Sequence, residues 1–179
     1  MTIAVRAASA ADAEAIAAIY APYVLDGYAS FEAEPPSGAA FEARMDARPL
    51  LPWLVAEQAS AVVGFAFAGR HRTRAAYRWS ADVSVYVGAD ARGRGIGRAL
   101  YEQLIPEVRA LGYVTAFAGI TLPNPASVGL HEAMGFAPVG VYRDVGFKLG
   151  AWRDVGWWQL HLCEPPAAPG EPREWQPAG

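Results

Sequence analysis

The chain has 179 residues and a mass of 19.1 kDa, room for one domain and its core but not for two independent domains. Apolar residues at 53% and charged residues at 18% exclude a disordered chain. A formal net charge of −3 and a pI near 5.6 argue against nucleic acid as a partner, and Cys163, the single cysteine, excludes an internal disulfide and a thiolate metal cluster.

The segment Met1 to Arg6 lacks a basic region followed by an apolar one, so no secretory signal is read and a cytoplasmic location is expected. Ile3 to Ala7 predicts a first strand. Ser9 then stands where an N-cap belongs, ahead of an Ala-rich run in which Ile16, Ile19, Tyr20, Tyr23 and Val24 recur at helical spacing, ending near Gly27. The apolar stretch Ala15 to Leu25 contains a proline and falls well short of the roughly 20 residues of a membrane span, so no membrane partner is expected. Beyond Pro35-Pro36 a second helix is predicted from Ser37 to about Arg48. Trp53 to Glu57 and Val62 to Gly69 read as strands joined by a turn at Gln58-Ala59-Ser60, and Ser80 to Val87 reads as another. A helix from Gly95 to Leu111 closes at Gly112, a buried strand runs from Val114 to Ile120, and a helix from Ala126 to Met134 closes at Gly135. Phe136 to Tyr142 and Trp157 to Leu162 complete the sheet. This order predicts a mixed α/β sandwich over residues 1–163, not a regular doubly wound fold. Residues 164–179, with five prolines, predict an extended or disordered tail.

The most informative segment is the β-branched run Val83-Ser84-Val85-Tyr86-Val87 followed by Gly88-Ala89-Asp90-Ala91-Arg92-Gly93-Arg94-Gly95-Ile96-Gly97-Arg98. A strand enters a glycine-rich turn that opens a helix, whose first amides and positive dipole end suit an anion. Arg92, Arg94 and Arg98 add charge that favours a diphosphate. No lysine follows at Walker spacing, and Arg98 stands where the dinucleotide fingerprint needs its third glycine, so a P-loop and a Rossmann site are both disfavoured. His71 and His161 have no partners at metal-ligand spacing, and no metal is expected.

The arrangement Arg92-Gly93-Arg94-Gly95-Ile96-Gly97 resembles the diphosphate signature of the GNAT superfamily of acetyl-CoA-dependent N-acetyltransferases. Trp79 to Val87, Leu122 to Phe136 and Gly146 to Val155 resemble the phosphinothricin or methionine sulfoximine acetyltransferase branch, and the likeness covers residues 3–162. The resemblance implies a mostly antiparallel mixed sheet whose central strand pair is splayed and flanked by helices. It implies acetyl-CoA as co-substrate, bound by the backbone of Val85, Tyr86 and Val87, by Arg92, Gly93, Arg94, Gly95, Ile96, Gly97 and Arg98, and by Asn124. It further implies a small-molecule amine as acceptor and a homodimer.

The same resemblance assigns Asp82 to the incoming ammonium group, one methylene shorter than the branch's usual glutamate, and His131 to proton donation toward the departing thiolate. Arg72, Thr73 and Arg74 correspond to the segment that meets the acceptor's acidic groups, with Arg78 and Lys148 as possible assistants. Each position also has a plain structural reading: core strand for Val85 to Val87, a strand-end carboxylate for Asp82, a packed histidine for His131, and a helix cap for Asn124. The activity implied is direct acetyl transfer to the α-amine of a small acidic amino acid or analogue. Acetylation of a peptide terminus or lysine, and a non-catalytic acyl-CoA sensor, stay open beside it.

Overall fold

The structure, a computed structural model, describes residues 3–177. In chain order the elements are β1 (Ala4–Ala7), α1 (Ala13–Leu25), α2 (Gly38–Met45), β2 (Trp53–Gln58), β3 (Ala61–Arg70), β4 (Ser80–Val87), α3 (Ile96–Ala110), β5 (Thr115–Leu122), α4 (Pro125–Ala133), β6 (Ala137–Lys148) and β7 (Ala151–His161). The strands form one sheet in the order β1-β2-β3-β4-β5-β7-β6, and every neighbouring pair is antiparallel except β4 and β5. This is the mixed α/β architecture that the element order predicts.

Alternation along the strands builds two cores, one on each face of the sheet. Ile96, Leu100, Tyr101, Leu104 and Val108 fall on one stripe of α3 and are all buried against Ala66, Ala81, Val83, Ala116, Ala118 and Ile120. Full burial of a leucine-sized side chain contributes about 2 kcal/mol, so this stripe fixes α3 firmly on the sheet. On the other face Ile16, Tyr20 and Val24 of α1 meet Phe41, Trp53, Val55 and Phe65. The entry to α1 is a single 3-10 turn, Ala10–Asp12, in which the Asp12 carboxylate accepts from the Ser9 amide at 2.8 Å and from Arg6 at 2.7 and 2.8 Å. The Arg6 guanidinium holds Asp12 well below the usual carboxylate range, at about 2.

The last two strands are longer than the sequence predicts. β6 and β7 form a hairpin turned at Leu149 and Gly150, whose φ angles of 51° and 73° are both left-handed, with Lys148 paired to Ala151. Gly140, Gly146, Gly150 and Gly156 erase the local strand signal, and pairing across the hairpin supplies the order instead. The proline-rich tail has no helix or strand, yet it is fastened along the domain. The Trp175 amide donates to Leu50 O at 2.9 Å, its indole donates to Glu107 at 2.7 Å, and the Arg173 amide donates to Leu111 O at 2.8 Å. Ala178 and Gly179, the end of that segment, lie outside the described residues.

Candidate active site

β4 and β5 pair at only three positions, Ser80 with Thr115, Ala81 with Ala116 and Asp82 with Phe117, although each strand has eight residues. Beyond that rung they part. The Gly88 amide donates to Val63 O at 2.9 Å, so antiparallel alternation makes Tyr86 opposite Phe65 and Ser84 opposite Phe67 the hydrogen-bonded pairs with β3. The backbone groups of Val83, Val85 and Val87 therefore turn toward the opening. Those of Tyr86 do not, which removes its main chain from the set that can meet a ligand in the slot. The Tyr23 hydroxyl donates to Val87 O at 2.6 Å and accepts from Val87 N at 3.2 Å, leaving the Val85 amide and carbonyl as the open pair.

The slot leads to the glycine turn. Gly93 and Gly95 hold φ angles of 74° and 80°, a region that side chains rarely adopt, and a Cβ added to either would meet nothing within 4 Å. Gly95 N-caps α3 without any side-chain cap, so the first amides of the helix, from Ile96 onward, are bare donors. The Ile96 side chain itself is buried in the core, and only its backbone serves the turn. Arg92, Arg94 and Arg98 are exposed around this terminus: Arg92 lies over the Tyr23 ring at 4.9 Å, Arg94 reaches Gln58 at 3.4 Å, and Arg98 stands 3.7 Å from Glu102. An open cradle, unpaired amides and three guanidiniums fit a diphosphate, and the free Val85 backbone fits an amide-bearing arm continuing into the slot. At the far side Asn124 caps α4, its carboxamide oxygen accepting from Ser127 N at 3.1 Å, while its NH2 has no partner among the described residues.

At the apex of the slot Asp82 pairs with His71, a residue outside the motifs that carry the resemblance. Oδ1 of Asp82 is 2.6 Å from Nδ1 of His71, and the His71 ring stacks on Phe117 at 4.4 Å. Burial pushes the Asp82 carboxyl up, opposed in part by the hydrogen bond from His71 and by Arg72 nearby. Eleven residues separate the pair in sequence, and the β3–β4 register, with Gly69 opposite Asp82, brings them together.

His131 is placed differently from its expected role. Its ring is 3% exposed, Nδ1 donates to Ser127 O at 2.8 Å, and Nε2 accepts from the Tyr101 hydroxyl at 2.9 Å. Both nitrogens are engaged inside the protein, so in this arrangement the ring ties α4 to α3 and has no N–H left for a sulfur. Burial holds it in the neutral form, below the ordinary imidazole range.

Arg72, Thr73 and Arg74 are exposed in the turn after β3. Arg72 lies over the Trp157 ring at 5.5 Å and so borders the same apex, whereas Thr73 gives only its carbonyl to Arg70. Arg78 pairs with Glu171 and covers Trp79, and Lys148 donates to Glu32 O, so neither is free to assist. The structure adds Trp157 and Arg153 of β7, whose Nε1 and Nε are buried without a partner, with Arg153 over the Tyr28 ring at 4.3 Å. A groove of about 880 Å³ lies under the tail, lined by Gln103, Glu107 and Trp175, but it shares no residue with the slot. Among the described residues no group of three His, Cys, Asp or Glu side chains gathers as metal ligands.

A sheet opened between two parallel strands, continued by a bare helix terminus behind a glycine turn, defines a class of acyltransferase that seats the diphosphate of a coenzyme A thioester on α3. The chain belongs to the Acetyltransferase (GNAT) family, whose model matches residues 15–136. It is 38% identical over 166 residues to a phosphinothricin N-acetyltransferase of Streptomyces viridochromogenes, covering 92% of this chain and 90% of that one. It is also 38% identical over 172 residues to an L-methionine sulfoximine/L-methionine sulfone acetyltransferase of Pseudomonas paraeruginosa, covering 94% of this chain and all of that one. A phosphinothricin acetyltransferase from Sinorhizobium meliloti, solved in complex with acetyl-CoA, superposes with a TM-score of 0.90 at 39% identity over 96% of this chain and 95% of that one. The chain is thus an acetyl-CoA-dependent N-acetyltransferase by family, and no helix among the described residues is long and apolar enough to cross a membrane.

Proposed function

We propose that the protein acetylates the α-amine of a small acidic amino acid or analogue, with phosphinothricin, methionine sulfoximine and methionine sulfone as the leading acceptors. The observation that carries this reading is the slot beyond Asp82 and Phe117, which runs from the bare α3 terminus to the half-buried carboxylate of Asp82, bordered by Arg72. Acetyl-CoA, when bound, supplies the thioester carbonyl. The chain's part is to orient and to move protons: Gly93 to Arg98 hold the diphosphate, Val85 aligns the arm, Asn124 offers its NH2, and Asp82 attracts the ammonium group. Arg72, with Thr73 and Arg74 beside it, receives the acceptor's acidic end.

The protein acts as a homodimer in the cytoplasm on this reading. β6 is an edge strand, and Val139, Tyr142 and Phe147 on it and Trp152 beside it are all exposed, an apolar strip that a second copy would cover. Thiol release from acetyl-CoA across a panel of amino acids, amines and peptides tests the activity: acidic amino acid analogues should react and Asp82→Ala should not. Sedimentation of wild type against Phe147→Glu tests the dimer.

A further inference from the structure

We propose that His71, held by Asp82, is the base that receives the proton of the incoming amine, an inference that rests on the N-acetyltransferase reading above. His71 lies in the turn after β3, and its ring spans the two central strands at the last rung they share. Nδ1 bonds Asp82 on β4 at 2.6 Å, and the ring stacks at an 18° angle on Phe117 of β5, the residue opposite Asp82. Tyr77 and Trp157 meet it edge-on, each at 5.9 Å. These contacts leave the His71 side chain 11% exposed and fix its orientation. The charged and titratable groups that face it are Asp82 from β4, Arg72 from its own turn and Tyr77 from the 3-10 turn that follows; β5 and β7 present only Phe117 and Trp157.

An ionised carboxylate can only accept, so Nδ1 carries a hydrogen, and in a neutral imidazole that tautomer leaves the lone pair on Nε2. Nε2 has no hydrogen-bond partner among the described residues and is not among the fully buried unsatisfied atoms, so it keeps some contact with solvent. Aspartate is a short base, and the imidazole carries its reach outward. Asp82 is then a positioning residue that fixes the tautomer, and His71 the catalytic one. The acceptor's ammonium gives one proton to Nε2, from which solvent collects it. The nitrogen lone pair then forms the C–N bond to the acetyl carbon as the C–S bond breaks, and the second nitrogen proton passes through solvent to the departing sulfur.

The test follows thiol release from acetyl-CoA with phosphinothricin and with methionine sulfone over a range of pH. His71→Gln should lower kcat by about 10²- to 10³-fold and remove the acid limb of the kcat/KM profile. His71→Ala should regain turnover when imidazole is added, which a purely structural role would not allow, and His161→Gln should behave as wild type. Melting curves establish that each variant is folded. Nitrogen-15 NMR of the protein alone should find His71 in the Nδ1–H form, and Asp82→Asn should disturb it. A His71→Gln variant with wild-type kcat and an unchanged pH profile, or a neutral His71 carrying its hydrogen on Nε2, overturns the inference while leaving the acetyltransferase reading intact. A wild type inert toward every acceptor removes that reading itself.

Discussion

The hydroxyl of Tyr101 in α3 sits 2.9 Å from Nε2 of His131 in α4, and both residues are buried. Their bond is a polar rivet through an otherwise apolar layer. A histidine whose folded pKa is depressed contributes stability that is present above its unfolded value, about 6.5, and is lost as pH falls from there toward the folded value. Chemical denaturation between about pH 7.5 and 5 should therefore show wild type losing more stability than His131→Gln, which keeps an acceptor for Tyr101 but does not titrate. His131→Ala should cost about 2 kcal/mol at neutral pH because the buried hydroxyl loses its partner.

Gly95 caps α3 at a φ of 80° with open space above it. Gly95→Val should cost about 1–3 kcal/mol from backbone strain and put a branched side chain where the diphosphate belongs. Calorimetry with coenzyme A should then show Kd raised more than about tenfold, against a melting temperature lowered by about 2–12 °C.

The turn between β2 and β3 places two ordinary L residues, Ala59 and Ser60, at φ angles of 50° and 64°. Both central positions of such a hairpin favour Asn-Gly. The double variant Ala59→Asn, Ser60→Gly should raise stability by about 0.5–1 kcal/mol with no change in turnover, read from urea midpoints at constant m-value.

Truncation after Cys163 removes Trp175, whose indole bonds Glu107 and packs on the core, together with the Arg173 bond to Leu111 O. The shortened chain should lose about 2–3 kcal/mol, most of it reproduced by Trp175→Ala alone. Composition marked this segment by its prolines, but one tryptophan among them decides where it lies.

What could be read from the sequence was local. The apolar spacing of α3, the glycine turn and the caps at Ser9 and Gly112 each lie within a few residues of what they determine. The His71–Asp82 pair does not: it depends on the register of β3 against β4, and a count across that hairpin, with Arg70 opposite Ala81, is the signal that would have found it. His131 reads from its motif as a cofactor-side residue, but its partner Tyr101 is 30 positions earlier and only the packing of α3 beside α4 reveals the bond. The length of β6 and β7 was hidden in the same way, since its glycines weaken each strand alone and the turn at Leu149-Gly150 restores them together.

The early parting of β4 from β5 has a mechanical consequence. Between these two strands, three rungs alone stitch the half of the sheet built from β1 to β4 to the half built from β5 to β7. Any molecule that threads the seam and bonds to Val85 replaces missing rungs, so loading the enzyme must stiffen it as a whole. Deuterium uptake at Val85, whose amide has no partner in the empty seam, should slow first.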